Sequence, residues 1–332
     1  MMKRFFCIFL VICILGSLLS CGGMNYNKSG ARIKILCTLF PQYDWIRNII
    51  DGVEDVEVSL IIANGTDPHS YQPTANDIMN ISNCDMLVYV GGDSDTWVKK
   101  AVERSKNQNL TEVSLIELEG IELHDISSAS HTHEGHSHGE DSHEGHSHSS
   151  LDEHIYLSID NACEATEALA EILGKADPDN KEFYFKNSTE YILKLKNMSE
   201  KFKTELEAIP EHDRFVLFAD RFPFVYLLSD YGIDYAAAFE GCTTDVDANF
   251  DTVIRLIHEA DDHNVNYIAV TESSDGALAN TVISSTKSKQ QKVISLNSMQ
   301  AVTRSQIESG VTYISTMEKN INAIKTILGL EA

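Results

Sequence analysis

The feature that most limits the fold is a helical pattern running from Asp177-Pro178 to about Ile209, with alternating strand and helix signals on both sides. Phe183, Tyr191, Leu193, Leu195, Met198, Phe202 and Leu206 lie among charges along it, and Pro210 ends it. Roughly 30 residues at 1.5 Å each give a rod about 45 Å long, enough to run across two lobes. Before it, strand patterns at Ile33–Leu39, Val56–Ile62 and Met86–Val90 alternate with helical stretches at Pro41–Ile50, Thr74–Ile81 and from Ser94. After it, strands are predicted at Phe215–Phe218, Asp234–Ala238, Tyr267–Val270 and Lys292–Leu296. Helices are predicted at Phe222–Tyr231, Phe250–Ala260, from Ala277, and at about Ser305–Leu328. Alternation of this kind predicts parallel sheets covered on both faces. The expected architecture is α/β, with two parallel-sheet lobes joined by one long rigid helix.

The N-terminus carries an address. Lys3 and Arg4 precede the apolar run Phe5–Leu15, and small residues follow, which reads as a signal peptide over residues 1–20 and not as a membrane span. Leu18-Leu19-Ser20-Cys21 resembles a bacterial lipobox, which makes Cys21 the expected lipidated first residue and residues 21–32 a flexible tether. No later segment approaches ~20 consecutive apolar residues. The expected location is the extracytoplasmic face of the cell membrane. Without the signal, about 310 residues remain, more than one core usually holds. The divisions expected are an N-terminal lobe over 33–176, a linking helix over 177–210 and a C-terminal lobe over 211–332.

Net charge is -24, which disfavours nucleic acid and suits a protein that gathers cations. Cys37, Cys84, Cys163 and Cys242 are widely spaced with no Cys-x-x-Cys, so a cysteine-based zinc module is not expected. The 124–150 region instead concentrates imidazoles. His131, His133, His136, His138, His143, His146 and His148 are seven of the chain's 13 histidines, and His-Glu-Gly-His-Ser-His occurs twice. Gly, Ser and charge around them leave nothing apolar to bury, so a flexible loop is expected with metal binding as its chemistry. Imidazole is mostly neutral at pH 7 and ligates zinc, copper, nickel and iron.

Two histidines lie outside that tract in more structured surroundings. His69 is in Asp67-Pro68-His69-Ser70-Tyr71-Gln72-Pro73, past the end of a predicted strand, where open α/β sheets bind ligands. His154 is in Asp152-Glu153-His154-Ile155-Tyr156-Leu157, directly after the tract. Taken singly, each reads as a loop histidine satisfied by backbone groups. Together, Pro-His-Ser-Tyr-Gln-Pro, a His-rich insertion and Glu-His-Ile-Tyr-Leu-Ser resemble the zinc/manganese substrate-binding lipoproteins of bacterial ABC importers. The resemblance extends from about Ile33 to Leu330. It includes Phe40-Pro41, Gly91-Gly92 and Asp230-Tyr231-Gly232.

The resemblance implies a metal held in the cleft between the lobes, with His69 and His154 as the first two ligands. The family's third ligand falls on Arg221, preceded by Asp220, and its C-lobe aspartate falls on Asn297. Arg cannot ligate a cation, and Asn297 offers only a neutral oxygen, so a four-coordinate zinc site is incomplete as aligned. Asp220, Glu272 after the strand Tyr267–Val270, a tract histidine or water each remain open as the missing donor. Asp220 is the favoured one, since a dication beside two neutral imidazoles gains from an anion.

The function implied is capture of a metal ion and its delivery to an ABC permease with its ATPase. The protein is expected to be a monomer held at the membrane through Cys21. Zn²⁺ is the expected cargo, because hard Mn²⁺ prefers more carboxylate oxygen. No His-Glu-x-x-His, Gly-x-Ser-x-Gly or phosphate loop is present, so the expectation is a carrier and not an enzyme. The alternatives are a secreted zinc-dependent hydrolase using His69 and His154, or a metal-binding adhesin or chaperone without transport. Helix stiffness and the resemblance both imply small tilting of the lobes rather than wide hinge closure.

Overall fold

The computed structural model describes residues 32–125, 151–240 and 249–330. The first lobe runs β1 (Ile33–Cys37), α1 (Phe40–Ile49), β2 (Val56–Leu60), α2 (Ala75–Asn83), β3 (Met86–Tyr89), α3 (Thr96–Ser105) and β4 (Thr111–Ser114). Two long helices follow, α4 (Ile159–Ala176) and α5 (Lys181–Leu206). The second lobe then runs β5 (Phe215–Phe222), α6 (Val225–Ser229), β6 (Asp234–Glu240), α7 (Phe250–Asp262), β7 (Tyr267–Thr271), α8 (Ala277–Ser285) and β8 (Lys292–Leu296). Helices α9 (Arg304–Glu308) and α10 (Tyr313–Ile327) close the described chain. Both sheets are wholly parallel, in the orders β2-β1-β3-β4 and β6-β5-β7-β8. The α/β architecture of two parallel sheets and one long helix is the one the sequence implies.

Four details differ from the sequence reading. Strand β5 runs on to Phe222, where a helix was expected to start, and that helix shortens to Val225–Ser229. Strand β4, Thr-Glu-Val-Ser, escaped notice because it is a short edge strand whose first two residues are exposed. Helix α4 was not anticipated, although Ser158 caps it by accepting from the Asn161 N–H and its buried face is rich in Ala and Leu. The expected last helix is broken in two, because Gly310 takes φ +94 between α9 and α10, a conformation open to glycine. The 26-residue α5 packs against α4 and buries Tyr184, Tyr191, Leu195, Phe202 and Leu206.

A single apolar core runs through both lobes, from Ile35 and Trp45 to Phe218, Phe224 and Tyr313. Polar contacts reinforce it. Tyr313 Oη donates to the Tyr156 carbonyl at 2.8 Å, and Asp44 Oδ2 accepts from the Tyr313 N–H at 2.9 Å. The lobes also meet through backbone. Asn64 and Thr303 form an isolated antiparallel bridge, and the Arg304 N–H donates to the Ala63 carbonyl at 2.8 Å. Among the described residues no helix is long and apolar enough to cross a membrane. Cys37, Cys84 and Cys163 are buried free thiols, and burial pushes the last two up to about 12, so they are inert. The expected signal peptide, Cys21, the seven tract histidines and Cys242 lie outside the described residues.

Candidate metal centre

His69 and His154 come from separate loops of the first lobe and meet. Each follows an aspartate by two residues, in Asp67-Pro68-His69 and Asp152-Glu153-His154. The two aspartates do the same thing. Asp67 Oδ1 accepts from the His69 N–H at 3.0 Å, and Asp152 Oδ1 accepts from the His154 N–H at 2.8 Å. These Asx turns fix the backbone that carries each ring. Asp67 thereby caps the tight turn Pro68–Ser70, and His154 opens another at Ile155–Leu157. The ring centroids end 5.6 Å apart with planes inclined by 51°.

Carboxylates set the ring orientation. His154 Nδ1 lies 2.8 Å from Asp152 Oδ1, and both residues are buried. His69 Nδ1 lies 3.4 Å from Glu153 Oε1. A carboxylate only accepts, so His154 Nδ1 carries the proton and its Nε2 presents a lone pair, and the Glu153 charge favours the same tautomer of His69. This carboxylate–imidazole pairing is the arrangement that orients metal-ligating histidines and raises their basicity. Glu153 is itself fixed, since Ser94 donates to it from its N–H at 3.1 Å and its hydroxyl at 2.5 Å. The carboxylate lies so close to Gly92 that a Cβ there would sit 2.2 Å from Glu153 Oε2. Tyr226 Oη of the second lobe donates to the Asp152 carbonyl at 2.7 Å and accepts from the His124 N–H at 3.0 Å.

The second lobe answers with Gln300. Its Nε2 is 2.9 Å from His69 Nε2 and 2.8 Å from His154 Nε2, so one amide nitrogen faces both lone pairs. Gln300 escaped the sequence reading, which stopped at Asn297. Its position beyond the C-terminal end of β8 is the signal that would have found it.

The other expected C-lobe donors have different employment. Asp220 Oδ2 accepts from the Thr271 hydroxyl at 2.6 Å and its N–H at 3.0 Å, while Oδ1 accepts from the Arg221 N–H. It ties β5 to β7. Glu272 accepts from the Ser298 N–H at 2.9 Å and hydroxyl at 2.8 Å. Asn297 Oδ1 accepts from the Met299 N–H at 2.8 Å, and Met299 takes φ +60 while fully buried. Glu272 and Asn297 thus build the loop that presents Gln300. Among the described residues, no three of His, Cys, Asp and Glu gather as a metal cluster, so Asp220 and Glu272 do not join the imidazoles. Arg221 reaches across the cleft, and its Nη1 donates to Asp67 Oδ2 at 2.7 Å. Burial pushes the Asp67 carboxyl up, but Arg221 and the His69 N–H outweigh that and hold it below the usual carboxylate range.

A family model described as zinc-uptake complex component A, periplasmic, matches residues 35–327. The high-affinity zinc uptake system protein ZnuA of Bacillus subtilis is 30% identical over 332 residues, covering 99% of each chain. The zinc-binding lipoprotein AdcA of Streptococcus pneumoniae R6 is 29% identical over 302 residues. That match takes in 91% of this chain, which spans only 57% of the pneumococcal protein's length. Among solved structures, the metal-dependent lipoprotein YcdH of Bacillus subtilis superposes with a TM-score of 0.70 at 27% identity, over 89% of this chain and 99% of its own. Zn(II)-bound AdcA of Streptococcus pneumoniae gives 0.68 at 26% identity, over 90% of this chain and 58% of that one.

Proposed function

The chain belongs to the zinc-uptake complex component A family, and we propose that it captures Zn²⁺ between His69 and His154 for delivery to an ABC permease and its ATPase. It is a zinc-binding protein of an uptake system, in a family of binding proteins and not of enzymes. The hydrolase alternative falls with that membership. The observation that carries the site assignment is the convergence of two Nε2 lone pairs, each fixed by a carboxylate on the opposite ring nitrogen. Zinc takes imidazole nitrogen at ~2.0–2.1 Å in a four-coordinate shell, so the pair supplies half of a closed site. Two neutral nitrogens favour zinc over Mn²⁺.

The signal peptide over 1–20 and the lipid on Cys21 would keep the chain at the extracytoplasmic membrane face. The lipoprotein relatives support that reading by their names. The histidines from His131 to His148 serve as an auxiliary, weaker collector, and the lobes of a monomer move by small tilts about α5.

Zinc titration against a chromogenic chelator tests the site. The mature protein should bind one zinc tightly, and His69→Ala or His154→Ala should each weaken that event about 100-fold or more. Equal affinity in wild type and both variants would remove the assignment. Deleting residues 130–149 should lower the number of zinc ions bound and leave the tight one in place.

A further inference from the structure

We propose that Tyr226 and Tyr313 are positioning residues for zinc: their phenols grip the backbone on either side of His154 and so set its imidazole. The inference rests on the assignment of His69 and His154 as ligands. Tyr226 Oη donates to the Asp152 carbonyl at 2.7 Å, and Tyr313 Oη donates to the Tyr156 carbonyl at 2.8 Å. The two held carbonyls lie two residues before and two residues after His154. Both tyrosines come from the part of the chain beyond α5, Tyr226 from α6 and Tyr313 from the start of α10.

Each phenol is itself fixed, and both side chains are fully buried. The Tyr226 ring meets the His124 ring edge-on at 4.7 Å, and Tyr313 meets Trp45 in the same way at 5.4 Å. Tyr226 Oη also accepts from the His124 N–H, while the Tyr313 N–H donates to Asp44 Oδ2 on α1. Between the two grips the chain makes a tight turn, in which the Leu157 N–H donates to the His154 carbonyl at 2.9 Å. The Asp152 carboxylate then carries the grip to the ring, since its Oδ1 pairs with His154 Nδ1 at 2.8 Å. A working ligand is held within about 0.5 Å and 10–20° of its productive position, so a slip at residue 152 or 156 carries Nε2 out of range. His69 is held more loosely. Its turn is tied to the second lobe by the Arg221–Asp67 pair, which is partly exposed. Zinc therefore meets one preset imidazole and one that adjusts.

Tyr226→Phe and Tyr313→Phe remove one oxygen each and keep the buried rings. Each should weaken zinc binding about tenfold, the lower end of what hydrogen-bond partners of metal ligands contribute. The loss should appear in a faster off-rate, with the on-rate within about threefold of wild type. Cobalt(II) is the probe of geometry: its visible d–d bands should shift in both variants, because a displaced imidazole changes the ligand field. Merely structural tyrosines would lower the urea midpoint and leave zinc affinity and the cobalt spectrum unchanged; that result overturns the proposal. Hydrogen exchange tests the preset turn without any substitution. In metal-free wild type the His154 and Leu157 amides should exchange slowly, and fast exchange there also overturns the proposal. Zinc binding unaffected by His154→Ala removes the histidine site and the grip together. Tight binding lost in His154→Ala but kept in both Phe variants removes only the grip.

Discussion

The two lobes share one strand order and put their strand ends to different uses. In the first lobe the polar residues beyond the strands, Asp67, Asp152 and Glu153, aim two imidazoles. In the second lobe, Asp220, Glu272 and Asn297 hold backbone and one another's loops, and among the described residues it is Gln300 that faces the imidazoles. The difference is one of freedom. A carboxylate whose lone pairs already serve N–H and O–H donors is an expensive ligand to recruit, since each buried donor it abandons costs about 1–3 kcal/mol. A residue type and a place near the cleft therefore do not make a ligand; the count of bonds it would have to break does.

Asp152 and Asp220 provide the strongest way to break this comparison. Asp152→Asn should lower zinc affinity about 10- to 100-fold, because His154 loses the anion that fixes its tautomer. Loss of less than threefold would show that Asp152 only shapes the turn. Arg221→Ala should cost less, several-fold in affinity, since it releases Asp67 and with it the turn carrying His69. Its effect should shrink in high salt, as the pair is partly exposed. Asp220→Asn should leave zinc affinity within about threefold while lowering stability by about 1–3 kcal/mol in urea titrations, because it frees the Thr271 donors. A 100-fold affinity loss there would return Asp220 to the ligand set.

The smallest effect concerns pH. Burial raises the Asp230 carboxyl from 3.8 to about 7, with the Ser158 hydrogen bond pulling only partly against it. Between those values the folded chain keeps a proton that the unfolded chain has released. Stability therefore falls as the pH rises through that window. Asp230→Asn should raise the melting temperature at pH 8 by a few degrees, about 2–4 °C, and hardly change it at pH 4. Equal shifts at both pH values would show that Asp230 is not protonated in the folded chain.

Much of the fold was legible because strong periodicities coincide with real burial. Ile33 onward and Met86 onward read as strands and are buried strands. The edge strand at Thr111 and the helix from Ile159 were not, since the first is nearly all polar and the second follows a tract that dominates its composition. In the site, the pairing of His69 with His154 was legible because each sits in a recognisable hexapeptide, and the structure brings their rings within 5.6 Å. Gln300 was not, because an uncharged amide is common in loops and its meaning comes from what lies 2.9 Å away across 231 residues of chain. Asp220 drew attention for the opposite reason: its charge suits a dication, and no sequence pattern reveals that its carboxylate accepts from Thr271.

The backbone bridge between Asn64 and Thr303, with the Arg304–Ala63 bond beside it, bears on unloading rather than on capture. The bridge ties the lobes within a few residues of Gln300, so opening the cleft there would break backbone hydrogen bonds. If the proposed site holds the cargo, its release is expected to wait on local rearrangement of the loops that carry His69 and His154. A receiving protein that pried at residues 63–66 or 302–304 would hasten that release without touching a single ligand.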